Sequence, residues 1–136
     1  MFVKIVNTPI QPDQVISQAK SLDSGCVVTY VGLIRDNSHQ KAVRSVEYRD
    51  TDGQAETRLK KMAEEIMQKF PVNNLAMCHR VGELKVGDIN IVFAFACAHR
   101  QEGFQACAYA VDKFKESLPT SKKETYLDSS VNTDLQ

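Results

Sequence analysis

The chain has 136 residues and a mass of 15.2 kDa, room for one domain whose core removes about two-thirds of the unfolded surface from water. A hydrophobic fraction of 43% and a charged fraction of 25% exclude a disordered chain. Seventeen basic against seventeen acidic residues exclude a broadly basic nucleic-acid coat and an acidic tail protein, though not a local basic pocket. No apolar run approaches the ~18 residues a membrane helix needs. The opening MFVKIVNTPIQP lacks the charged and apolar regions of a secretory leader.

Phe2–Val6 is expected to form a strand. Gln11–Lys20 is expected to be a helix, with Pro12 near its start and Val15, Ile16 and Ala19 on one face. Cys26–Ile34 is β-branched and apolar, hence a strand buried on both faces. Arg35–Ala42 reads as a polar loop containing His39, Val43–Arg49 as a strand, and Asp50–Gly53 as a turn. Gln54–Phe70 carries Leu59, Met62, Ala63, Ile66 and Phe70 at helical spacing. Leu75–Val81 alternates, Gly82–Gly87 reads as a turn, and Ile89–Ala98 is the strongest strand, bulky at odd positions and small at even ones. Arg100–Leu118 is a second long helix with Phe104, Cys107, Ala108, Val111, Phe114 and Leu118 as its expected stripe. A soft tail is expected after about Asp128. The pattern predicts a single α+β domain over 1–136 with a mostly antiparallel sheet and two long amphipathic helices. Cys26, Cys78, Cys97 and Cys107 form no C-x-x-C pair and lie among apolar residues. They read as buried, reduced, cytoplasmic thiols and not as a metal site.

Three places carry polar groups that packing does not need. His99-Arg100 stands where the strongest strand hands over to a helix, and a helix N-terminus with added cations suits a phosphate. A solvated Arg after a strand-closing His is the plainer alternative. Arg35 follows an apolar strand and precedes a polar loop, a usual place for a binding residue and equally for an ordinary surface Arg. Lys115 lies in register with the apolar stripe, with Lys122 and Lys123 beyond Pro119. Its stem beside that stripe and the neighbouring cations would lower its pKa and suit it to acid/base work. A basic helix end offsetting the helix dipole is the alternative. His79-Arg80 falls in mid-strand, and His79 reads as a structural histidine.

Several segments together resemble the large, catalytic subunit of molybdopterin synthase, the MoaE family. They are VVTYVGLIR (27–35), VRSVEY (43–48), CHRVGELKVGDINI (78–91), ACAHRQEGFQA (96–106) and DKFKESLPTSKKE (112–124). The resemblance implies a hammerhead-like α/β layer and a homodimer within a heterotetramer. The implied substrate is cyclic pyranopterin monophosphate. The implied partner is a small ubiquitin-like sulfur carrier whose C-terminal Gly-Gly thiocarboxylate supplies the sulfur. No metal, cofactor, nucleic acid or membrane is implied. Carried onto this sequence, the motifs place Arg35, His99 and Arg100 at the substrate's anionic groups, with Leu33 and Ile34 beside Arg35. Lys115 and Lys122 would flank the incoming thiocarboxylate as catalytic groups, with Lys123 and Glu124 beside them. A non-catalytic relative that only docks a Gly-Gly tail is the second reading, and an unrelated phosphate-ligand enzyme the third.

Two features qualify this picture. Thr120-Ser121 stands where the family usually has an aromatic pair, which should remove a bulky wall. Arg100 and Lys115 lie 15 residues apart on one expected helix, or about 22 Å along its axis. A small pterin phosphate does not span that distance, so the expected site is composite, drawing Lys115 and Lys122 from one chain and His99 and Arg100 from its mate.

Overall fold

The computed structural model describes residues 1–134. Twelve elements run in the order β1 (Phe2–Val6), α1 (Pro12–Ala19), β2 (Cys26–Leu33), β3 (Asn37–Ser38), β4 (Lys41–Arg49), α2 (Ala55–Lys69), β5 (Asn74–Arg80), β6 (Gly82–Lys85), β7 (Ile89–Cys97), α3 (Arg100–Glu116), β8 (Ser121–Tyr126) and β9 (Val131–Asp134). The first sheet has the order β1-β5-β7-β2. Only its β1–β5 pairing is parallel.

The alternation along β5 and β7 decides how this sheet is covered. Leu75, Met77, Ile91, Phe93, Phe95 and Cys97 face the larger core, shared with α2 and α3. Ala76, Cys78, Val92 and Ala94 face a smaller core closed by Val15 and Ala19 of α1. Bulky side chains fill the two-helix side, and small ones let a short helix approach the other.

In the second sheet β4 pairs along one edge with β8, which carries β9. The other edge of β4 takes the short β3 and β6 in succession. The two sheets meet at His79. It is fully buried and stacks edge-on against Tyr48 of β4 and Phe114 of α3, at centroid distances of 4.9 and 5.0 Å.

The structure corrects five sequence expectations. β2 is an edge strand, half-buried along most of its length and not covered on both faces; Val31 and Leu33 are exposed. An apolar run gives no account of which strand ends up at the margin of a sheet. Residues 82–85, read as part of a turn, form β6, where Leu84 alone points inward. The 35–42 loop contains β3 and closes a hairpin through His39 and Gln40, both at positive φ. The tail after Asp128 includes β9, paired to β8. Finally, α3 buries Gly103, Ala106, Ala110 and Phe114, while Phe104 and Ala108 are exposed. Helix α3 lies too close to β2 for large side chains. A Cβ on Gly103 would meet Val28 Cγ2 at 2.6 Å, so the buried stripe is built from small residues that hydrophobic spacing overlooks.

Candidate functional site

Where the second sheet meets the end of α3 there is a cavity of about 630 Å³. Its walls come from the end of β2, from β3, β4, β7 and β8, and from the last turn of α3. The β4–β8 register explains its polar side. Tyr48 pairs with Lys122 and Val46 with Glu124. With a two-residue period all four project from one face, and all four line the cavity. Lys123 falls on the opposite phase, is exposed, and does not line it.

Glu124 is the best-held charge in the cavity. Only 6% of it is exposed. Its Oε1 accepts from the Ser38 hydroxyl and the Tyr126 hydroxyl, each at 2.9 Å. Lys122 Nζ stands 3.7 Å from Oε2, and His39 Nε2 stands 3.7 Å from Oε1. A buried carboxylate survives only when donors and cations surround it. Here those donors fix Glu124, and Glu124 in turn holds the Lys122 amine in the wall.

Arg35 reaches the rim because the strand end before it is pinned. Ile34 N–H donates to Asp88 O, and Gly87 N–H donates to Ile34 O, both at 2.9 Å. Ile34 is buried beneath the rim while Leu33 is exposed; both line the cavity with Arg35. Lys115 enters from the last turn of α3 between Phe114 and Leu118. It is exposed and not sealed against the apolar stripe. Its position at a helix C-terminus does suit a cation.

The floor contains a polar pair that the sequence reading passed over. Asn90 Nδ2 donates to the Tyr48 hydroxyl at 3.0 Å. Burial raises the pKa of this phenol, the Asn90 bond opposes the shift, and the Glu124 charge adds to it. Asn90 was detectable as the one polar side chain inside the strongest strand. Tyr48 showed only as an alternating core position.

Thr120 does not line the cavity. It is buried, and its hydroxyl lies 3.0 Å from His79 Nε2. His79 Nδ1 lies 3.0 Å from the Asn90 carbonyl. A carbonyl only accepts, so Nδ1 carries the proton and Nε2 accepts from Thr120. Burial pushes the His79 pKa down to about 4, so the ring is neutral; His79 is the structural histidine the sequence suggested. The corner bearing Thr120 is anchored by Arg58, whose Nε donates to Pro119 O at 2.9 Å. Ser121 donates to Arg49 O.

His99 and Arg100 lie outside the cavity, exposed at the opposite end of α3, which spans Arg100–Glu116. Thus the chain gathers Leu33, Ile34, Arg35, Lys115, Lys122 and Glu124, and leaves His99, Arg100 and Lys123 apart. The four cysteines are free; burial drives the Cys78 thiol up to about 11, which suits packing and not nucleophilic work. Among the described residues no group of three or more His, Cys, Asp or Glu could hold a metal ion, and no helix is long and apolar enough to cross a membrane.

Known proteins share this architecture. The molybdopterin synthase crystal structure from Staphylococcus aureus superposes with a TM-score of 0.89 at 29% identity, covering 98% of this chain and 97% of that one. A molybdopterin cofactor biosynthesis protein E from Burkholderia multivorans matches at 0.81 and 27%, covering 98% and 86%. The molybdopterin synthase catalytic subunit of Nostoc is 35% identical over 93% of this chain and 77% of its own length. That of Halalkalibacterium halodurans is 32% identical over 91% and 80%. The family model described as MoaE protein matches residues 5–117. With the fold, the sequence and the family model in agreement, the chain belongs to the MoaE family.

Proposed function

We propose that the chain is the catalytic subunit of a molybdopterin synthase. It moves sulfur from a thiocarboxylated small subunit to cyclic pyranopterin monophosphate, forming the dithiolene of molybdopterin in molybdenum cofactor biosynthesis, in the cytoplasm. The observation that carries this reading is the meeting of Arg35, Lys115 and Lys122 around one cavity whose floor sets the Tyr48–Asn90 pair among Ile91 and Phe114. Three cations suit an anionic group and a terminal thiocarboxylate, and the floor suits a flat heterocycle.

The thiocarboxylate sulfur is itself the nucleophile, so the enzyme needs no reactive cysteine. It attacks a ring carbon that bears an oxygen of the cyclic phosphate; that carbon–oxygen bond breaks, the phosphate opens to a monoester, and a thioester link joins carrier and substrate. Water then cleaves that link, leaving sulfur on the substrate and a carboxylate on the carrier. A second carrier repeats the attack at the neighbouring carbon, whose oxygen leaves as water, to complete the dithiolene. What this chain supplies is orientation, charge neutralisation and proton transfer. Lys115 is assigned proton transfer and stabilisation of the oxyanion during acyl cleavage. Lys122, held by Glu124, is assigned the carrier's terminal group, with Lys123 beside it. Arg35 takes the substrate's anionic group. His99 and Arg100 complete that group's site from the second copy of a homodimer, which carries one small subunit at each end.

The test is molybdopterin formation from purified chain, thiocarboxylated carrier and cyclic pyranopterin monophosphate, with Lys115→Ala alongside. Product from the parent and a loss of at least about 100-fold in the variant is the expected result for removal of a general acid/base. Carrier binding without product from the parent would replace this reading with the docking-only one.

A further inference from the structure

We propose that the Tyr48 hydroxyl is a hydrogen-bond donor to the uncharged ring system of the substrate, set in place by Asn90. This rests on the pterin reading above and assigns the orientation of the ring inside the cavity.

Tyr48 and Asn90 both line the cavity. Asn90 Nδ2 donates to the Tyr48 oxygen at 3.0 Å, so the phenol's own proton must go elsewhere. No group among the described residues accepts it. A buried hydroxyl with an unused donor is costly, and a ligand acceptor is one way to satisfy it. The raised pKa keeps that proton in place at neutral pH.

The Asn90 amide is confined on its other side by the β2 backbone. Its Oδ1 is buried without a partner, on the side of Gly32. A Cβ on Gly32 would stand 2.7 Å from that oxygen. The amide therefore lies in a slot between the β2 backbone and the phenol, and Asn90 is a positioning residue. The chemistry of the surroundings selects the ligand atom. Arg35, Lys115 and Lys122 draw anionic groups, whereas the Tyr48 phenol, the cross-strand neighbour of Lys122, stacks on neutral His79 and is buried with Val46, Ile91 and Phe114. A neutral donor beside a neutral amide recognises a carbonyl oxygen or ring nitrogen of a flat heterocycle, not a phosphate. The ring thus lies inward against Tyr48, with the phosphate outward.

The experiment is calorimetric titration of the full chain with cyclic pyranopterin monophosphate, comparing wild type, Tyr48→Phe, Asn90→Asp and the double variant. Melting temperatures and affinity for the thiocarboxylated carrier are measured in parallel. Tyr48→Phe should weaken pterin binding about 3–10-fold, the range for one neutral hydrogen bond, and leave carrier affinity within about twofold. Asn90→Asp places an acceptor beside the phenol and turns its proton away, so it should weaken binding comparably. The double variant should add nothing further, as coupled groups behave. If Tyr48→Phe fails to fold, Asn90→Asp carries the test. Wild-type affinity in either folded variant overturns the proposal. No pterin binding by the wild type overturns the functional reading beneath it.

Discussion

His79 should make the stability of this protein depend on pH in a window where most proteins are indifferent. The ring is buried between Tyr48 and Phe114, donates to the Asn90 carbonyl and accepts from Thr120. Its pKa falls from 6.5 to about 4, chiefly through burial. The unfolded chain takes up a proton near pH 6.5, whereas the folded chain resists until about pH 4. Stability is therefore full above pH 6.5 and is lost as pH falls toward 4. Each pH unit inside that window is worth up to about 1.4 kcal/mol per proton. Between pH 7 and 4.5 the loss is about 2 kcal/mol. Lowered carboxylates do not confuse the measurement. Asp52 and Asp128 start from 3.8 and are held lower by Arg58 and by Ser130 with Lys41 respectively, so their contributions vanish only below the window. Urea unfolding at half-unit pH steps gives the slope, with His79→Leu as the comparison. The variant is less stable at pH 7 because the Asn90 carbonyl and Thr120 lose their partner, but its profile from pH 6.5 to 4.5 should be nearly flat. An equal slope in both proteins would refute the assignment of this dependence to His79.

Thr120→Val should cost about 2 kcal/mol by stranding His79 Nε2 without a donor, a fall in melting temperature of about 8 °C by thermal circular dichroism. Gly32→Ala forces a methyl to within 2.7 Å of both Asn90 Oδ1 and Ile91 Cγ1. Overpacking of this kind costs about 1–3 kcal/mol, and urea midpoints will show it. For the shared site, mixed preparations of Lys115→Ala and Arg100→Ala chains should form product above either homodimer, since one of the two sites in each mixed dimer keeps every group. Activity no higher than the single variants would place all the groups within one chain.

Much of the fold was legible because periodicity is a local property. The alternation in Leu75–Val81 and Ile89–Ala98 and the helical spacing in Gln54–Phe70 match β5, β7 and α2 within a residue or two. Arg35, Lys115 and Lys122 stood out for a chemical reason: each is a cation where packing asks for none. Other features depended on partners distant in sequence. Edge position made β2 half-exposed. The closeness of α3 to the sheet moved its buried stripe onto Gly103, Ala106 and Ala110. The pairing of β8 gave residues 131–134 a strand to join.

By itself the sequence determined the longer strands and the helices, which cations are unexplained by packing, and that Arg100 and Lys115 must stand at opposite ends of one helix. Those follow from side-chain spacing along a chain of fixed geometry. Only the tertiary structure decided that Tyr48 and Asn90 share the cavity floor, that Thr120 turns inward to His79, and that Glu124 organises Lys122. Tyr48 and Asn90 come from different sheets, Thr120 and His79 from a corner and a strand 41 residues apart, and Glu124 is held by Ser38 of β3, so tertiary packing brings these groups within bonding distance.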